Sequence, residues 1–92
     1  PLTAIETGIE GDWDLFPNPA RDYMFLRWAK TTSPVSAVTV YDLHGRRMRH
    51  YRPKPSLSGE QRLDLSGMPA GLYVLRVKVG EEFWIKELQK LP

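Results

Sequence analysis

The chain has 92 residues, 41% of them hydrophobic and 26% charged, with a formal net charge of +2 and no cysteine. That length supports one small domain with a radius of gyration of about 12 Å and a modest core. Without cysteine there are no disulfides, thiolate-bound zinc or thiol nucleophiles, and no apolar run approaches the ~20 residues of a membrane-spanning helix.

The first 20 residues carry Glu6, Glu10, Asp12 and Asp14 and no Lys or Arg. They lack the basic-then-apolar order of a signal peptide. Residues 1–13 read as a lead-in to a domain at 14–92. Pro17-Asn18-Pro19-Ala20 is a turn signal: each proline holds φ near about −65°, and Asn18 is expected to bond its own downstream backbone. Met24, Leu26 and Trp28 then alternate with Tyr23, Phe25 and Arg27, which predicts a strand with one buried face. Val35 to Leu43 predicts another, with Val38 and Val40 toward the core and Thr39 and Tyr41 away from it. The chain must reverse near Asp42 and Gly45, where a glycine accepts positive φ and a carboxylate accepts backbone N–H bonds. Arg46 to Tyr51 is the returning strand, with Met48 as its core residue.

Pro53 to Gly59 predicts a loop, because its prolines lack donors and its serines favour turns. Arg62 to Leu65 resumes as a short strand with Leu63 and Leu65 on one face, and Asp64 with Ser66 is expected to satisfy backbone groups ahead of Gly67. Ser66 to Gly71 is a corner. Leu72 to Val79 is the clearest strand, with Tyr73, Leu75, Val77 and Val79 on one face, and Gly80-Glu81-Glu82 predicts a hairpin into Phe83 to Leu91. Strands thus arrive roughly every 8–12 residues with no sustained helical period. An antiparallel β-sandwich follows, since no helices are present to cover the apolar faces.

Arg46, Arg47, Arg49, Arg52 and Lys54 cluster without an intervening acid. Such a cluster is either a contact for an acidic partner or a solvated strand whose cations guard an edge; the second reading is preferred. No helix-turn-helix, zinc spacing or RNA-binding aromatic motif accompanies it, which argues against nucleic acid. His44 and His50 sit in a loop and a basic strand, with no catalytic motif near them. No enzyme activity, metal or other cofactor is expected. Met24, Met48 and Met68 read as packing residues.

Taken in order, Pro17-Asn18-Pro19-Ala20, Tyr41-Asp42-Leu43 with Gly45-Arg46, Leu63-Asp64-Leu65-Ser66, Gly71 with Tyr73, and Lys86 on the last strand resemble the type A C-terminal sorting domains of the type IX secretion system. The resemblance extends over nearly the whole chain. It implies an Ig-like antiparallel sandwich of about seven strands. It also implies an address by which Bacteroidetes-type bacteria export a parent protein through the periplasm to the cell surface or beyond. The implied partners are the outer-membrane secretion machinery, met through Lys86, Leu88 and Lys90, and a sortase-like peptidase that removes the domain. Direct membrane insertion is not implied. The competing class is an Ig or fibronectin-like adhesion or spacer module of a cell-surface protein, which shares the sandwich without the address.

Overall fold

The structure, a computed structural model, describes residues 11–92; residues 1–10 of the expected lead-in lie outside the described residues. Among the described residues the chain forms seven antiparallel strands and no helix. These are β1 (Asp12–Phe16), β2 (Tyr23–Ala29), β3 (Val35–Tyr41), β4 (Arg47–Tyr51), β5 (Gly59–Asp64), β6 (Gly71–Val79) and β7 (Glu82–Lys90). A three-stranded sheet in the order β1-β2-β5 faces a four-stranded sheet in the order β4-β3-β6-β7. The radius of gyration is 12.4 Å, as a compact chain of this length requires.

Period-2 patterning builds the core. Met24, Leu26 and Trp28 on β2 and Leu63 on β5 point from the smaller sheet, and Val38, Val40, Tyr73, Leu75 and Val77 answer from the larger; all are buried. Removing each such side chain from water contributes about 1.5–3 kcal/mol. Trp28 also donates its Nε1–H to Ser56 O at 3.1 Å, so its polar edge is satisfied inside the sandwich. A Cβ at Gly59 would stand 2.8 Å from Trp28 Cζ2, which is why a glycine opens β5 beneath that ring.

β1 starts at Asp12, so strand pairing extends across the expected boundary between residues 13 and 14. Its inward residues are Trp13 and Leu15, and the Trp13 ring stacks on Trp84 of β7 with centroids 4.7 Å apart and planes 7° apart. β5 begins three residues earlier than the Arg62 expected from sequence, because the Gly59-Glu60-Gln61 backbone pairs with Trp28, Arg27 and Leu26.

On β4 the alternation breaks. Tyr41 pairs with Arg47 and Val40 with Arg49, leaving Met48 as the extra residue of a bulge. Met48 is only partly buried, packing against the core beside Tyr51. Beyond the bulge His50 lies opposite Thr39, on the outer face of the larger sheet.

Candidate functional site

β7 borders the larger sheet, pairing with β6 from Glu82 to Lys90 and, among the described residues, with no strand on its other side. In an antiparallel edge strand, alternate residues turn both N–H and C=O outward. On β7 these are Phe83, Ile85, Glu87 and Gln89, a set identified by Gln89, whose N and O both bond away from β6.

The C-terminal half of this edge is occupied. Gln89 N donates to Asn18 Oδ1 at 3.0 Å, and Asn18 Nδ2 donates to Glu87 O at 3.3 Å. Ala20 N donates to Gln89 O at 3.0 Å, and Leu91 N donates to Ala20 O at 2.7 Å. A carboxamide offers one acceptor and a donor group, as a peptide unit does, so the Asn18 side chain substitutes for a strand residue. The expected local bond from Asn18 to its own downstream backbone is replaced by this long-range pair, because the turn sets Asn18 against β7 groups that otherwise lack partners. Pro17 and Pro19 flank it without N–H groups to offer a further strand. Both the Phe16–Pro17 and Asn18–Pro19 bonds are cis. Ala20 is buried at the end of this strap.

The other half of the edge is open. Among the described residues no backbone group bonds the outward groups of Phe83 and Ile85. Lys86, beside them, is exposed. It pairs with Leu75, whose side chain is core, so Lys86 leaves the strand on the core-facing side and still reaches water at the margin of the sandwich.

Leu88 and Lys90 are placed differently from expectation. Leu88 is 1% exposed and Lys90 7%, and Lys90 Nζ donates to Leu91 O at 2.8 Å. Both share the inward face with Tyr73 and the other β6 core residues, and the alkyl stem of Lys90 is long enough to pack there with its head turned to a carbonyl. Neither is a free contact; of the three residues only Lys86 stands in solvent.

The remaining signature residues organise turns. Asp42 Oδ1 accepts from His44 N and Arg46 N, both at 2.9 Å, and Asp42 Oδ2 accepts from Arg46 Nε at 2.7 Å. The Arg46 bond, above all, holds the Asp42 carboxyl below its ordinary pKa. Gly45 sits at φ 87°, within the left-handed region that favours glycine. Leu43 is exposed at the tip of this turn, while Tyr41 is half-buried on the outer face. Asp64 Oδ1 accepts from Ser66 N at 3.0 Å and Ser66 Oγ at 2.6 Å, which lowers its pKa as well. Leu63 and Leu65 on either side are fully buried. Tyr73 is buried and donates its hydroxyl to Pro69 O at 2.5 Å, closing the corner ahead of Gly71.

Arg49 corrects the reading of the basic cluster as solvated. Its Nε donates to Asp64 O at 3.1 Å and its Nη2 to Ser66 O at 2.7 Å, so the guanidinium joins β4 to the corner after β5. The bulge at Met48 turns it there. Tyr51 repeats the bridge: its hydroxyl accepts from Asp64 N at 2.9 Å and donates to Asp64 O at 3.2 Å. Burial raises the Tyr51 pKa.

The signature residues are thus gathered into a strap on the last strand, two carboxylate-capped turns and a tyrosine-closed corner, rather than one cleft. No curated protein sequence matches the chain. The family model described as the secretion system C-terminal sorting domain matches residues 14–90, from the middle of β1 to the last residue of β7. With both the strap and the strand it closes upon inside that match, the chain belongs to the family of C-terminal sorting domains of the type IX secretion system.

Proposed function

We propose that the domain carries its parent protein across the outer membrane by offering the open half of the β7 edge to the type IX machinery. The observation that supports this reading is the division of that edge: Asn18 and Ala20 occupy Glu87 to Leu91, whereas the outward groups of Phe83 and Ile85 have no partner among the described residues. An unpaired edge takes an added strand through main-chain hydrogen bonds, and neighbouring side chains set the choice of partner. Lys86 supplies the exposed charge next to it. Delivery to the cell surface or medium, removal by a sortase-like peptidase and attachment of the parent to the surface complete the proposal.

The test is a reporter fused ahead of the chain in a bacterium with type IX export, scored by protease shaving of whole cells. Ile85→Pro removes an outward N–H without taking a bond from the β6 ladder, and proline is tolerated on sheet edges. Lys86→Glu reverses the adjacent charge and leaves the backbone intact. With the fold confirmed by circular dichroism, both variants are expected to leave the reporter in the periplasm. Normal delivery of both sinks the edge reading and favours the spacer module. The mass of the delivered reporter reports removal: loss of the domain supports a peptidase step, and retention argues against it.

A further inference from the structure

The outer face of the larger sheet holds a cavity of about 320 Å³, lined by Ser36 and Thr39 of β3, His50 of β4, Arg52 just beyond it, and Arg76 and Lys78 of β6. The register brings them together: Thr39 lies between His50 and Arg76, and Ala37 beside Lys78. No acid among the described residues lines the cavity. Among the described residues Arg52, Arg76 and Lys78 form no salt bridge; the ion pairs there are Arg27–Glu60, Lys30–Asp12 and Arg46–Asp42.

Arg76 is held in place without a counter-ion among the described residues. Its guanidinium carbon stands 5.1 Å from the Tyr41 ring centroid and 4.6 Å from that of Phe83, so two aromatic faces fix a charge whose donors no carboxylate takes up. His50 adds an unsatisfied group. Its Nδ1 lies 2.8 Å from Thr39 Oγ1, while its Nε2 is sealed from solvent with no hydrogen-bond partner. A buried polar atom left unpaired costs free energy unless a ligand or proton changes its state. Burial, and then the charges of Arg47, Arg52 and Arg76, depress the His50 pKa, as expected where positive potential is uncompensated.

We propose that this cavity binds the phosphate or sulfate group of a small ligand. Three cations and two hydroxyls drawn from three chain segments surround it, a spread that suits a tetrahedral, multiply charged oxyanion better than a planar carboxylate. The volume is at the lower end of the roughly 300–1,000 Å³ range of small-molecule pockets, with room for an oxyanion and a short attached group. The site lies on the face of the sheet and meets β7 only through the Phe83 ring, whereas the sorting reading uses the backbone of that residue, so either reading can fail without the other.

The test uses the 92-residue chain at low ionic strength, with inorganic phosphate as probe and isothermal titration calorimetry as readout. The double variant Arg52→Gln/Lys78→Gln is compared with Arg21→Gln/Arg62→Gln, which loses the same charge away from the cavity. Saturable binding by the parent chain, weakened at least tenfold in the first variant and less than twofold in the second, is the expected result. NMR titration of the His50 ring supplies a second measure: a bound anion favours the protonated imidazole, so phosphate raises its pKa. Phosphatidylglycerol vesicles tested against phosphatidylcholine identify the source. Co-sedimentation lost in the first variant assigns a lipid headgroup; phosphate binding without it assigns a soluble phosphate ligand, and either supports the site. Absence of saturable binding, equal losses in both variants, or capture of a hexaglutamate peptide with no response to phosphate overturns the proposal.

Discussion

Asn18 and Gln89 are 71 residues apart in sequence, yet the Gln89 N–H donates to Asn18 Oδ1 at 3.0 Å. The Nδ2 of the same carboxamide reaches Glu87 O, so one side chain closes two outward groups of the final strand. Asn18→Ala leaves both unpaired by protein. At about 0.5–1.5 kcal/mol for each hydrogen bond, we expect a loss of about 1–2 kcal/mol in urea unfolding. Hydrogen exchange at the Gln89 amide should accelerate by more than the global loss explains. Unchanged protection there would show that the strap does not depend on its asparagine.

Arg49 and Tyr51 both bond the backbone around Asp64, one by guanidinium and the other by hydroxyl. Tyr51→Phe should cost about 1 kcal/mol and Arg49→Ala about 1–2 kcal/mol. Because both act on one carbonyl, the double-mutant cycle should show a coupling of at least about 0.5 kcal/mol. Additive losses would mean that the two bridges hold the corner separately.

Tyr73 is 5% exposed on the strand at the centre of the larger sheet. Tyr73→Ala should cost about 3–5 kcal/mol, a large share of the stability of a small domain, and Tyr73→Phe about 1 kcal/mol through loss of the bond to Pro69 O. Chemical denaturation separates the two. A loss under about 1 kcal/mol for the alanine variant would contradict the packing of β6 against the smaller sheet.

The pH dependence follows from His50, whose folded pKa lies below its ordinary 6.5. Between the folded value and 6.5 the unfolded chain binds the extra proton. Stability therefore rises with pH through this window and is lost on acidification below the ordinary value. His50→Gln should flatten the slope on the acid side of the ordinary value of 6.5. Asp42 and Asp64, both held below their ordinary 3.8, contribute stability present above that value and lost only as pH falls through their lower folded pKa values. An unaltered slope in the His50 variant would remove the histidine as its origin.

Six of the seven strands were legible, the clearest because their apolar residues alternate: Met24, Leu26 and Trp28 on β2 and Tyr73, Leu75, Val77 and Val79 on β6 are all buried, as the period requires, whereas β4 was legible as the return from the reversal at Gly45. β1 was not, since Asp12-Trp13-Asp14-Leu15-Phe16 places acids beside its inward residues and straddles the boundary expected between a lead-in at 1–13 and the domain at 14–92. Alternation in Trp13 and Leu15 was its available signal. The roles of Asp42 and Asp64 were readable because their partners lie within four residues in sequence. Those of Asn18 and Arg49 were not, because their partners are set by tertiary pairing and by the bulge at Met48. Lys90 misleads for a different reason: residue type suggests solvent, while its position on β7 places its stem inside.

The strap also imposes an order in time. Synthesis proceeds from the N-terminus, so Asn18 leaves the ribosome long before Gln89 exists, and the groups it closes are among the last backbone atoms of the strand to be made. β6 likewise waits for β7 along its full length, and Trp13 for Trp84. A nascent chain halted before Glu87 leaves Asn18 and Ala20 without any of their partners on β7. The sandwich thereby closes only after β7 has been made, so that a chain cut short within that strand differs from one that runs through it in its fold as well as its length.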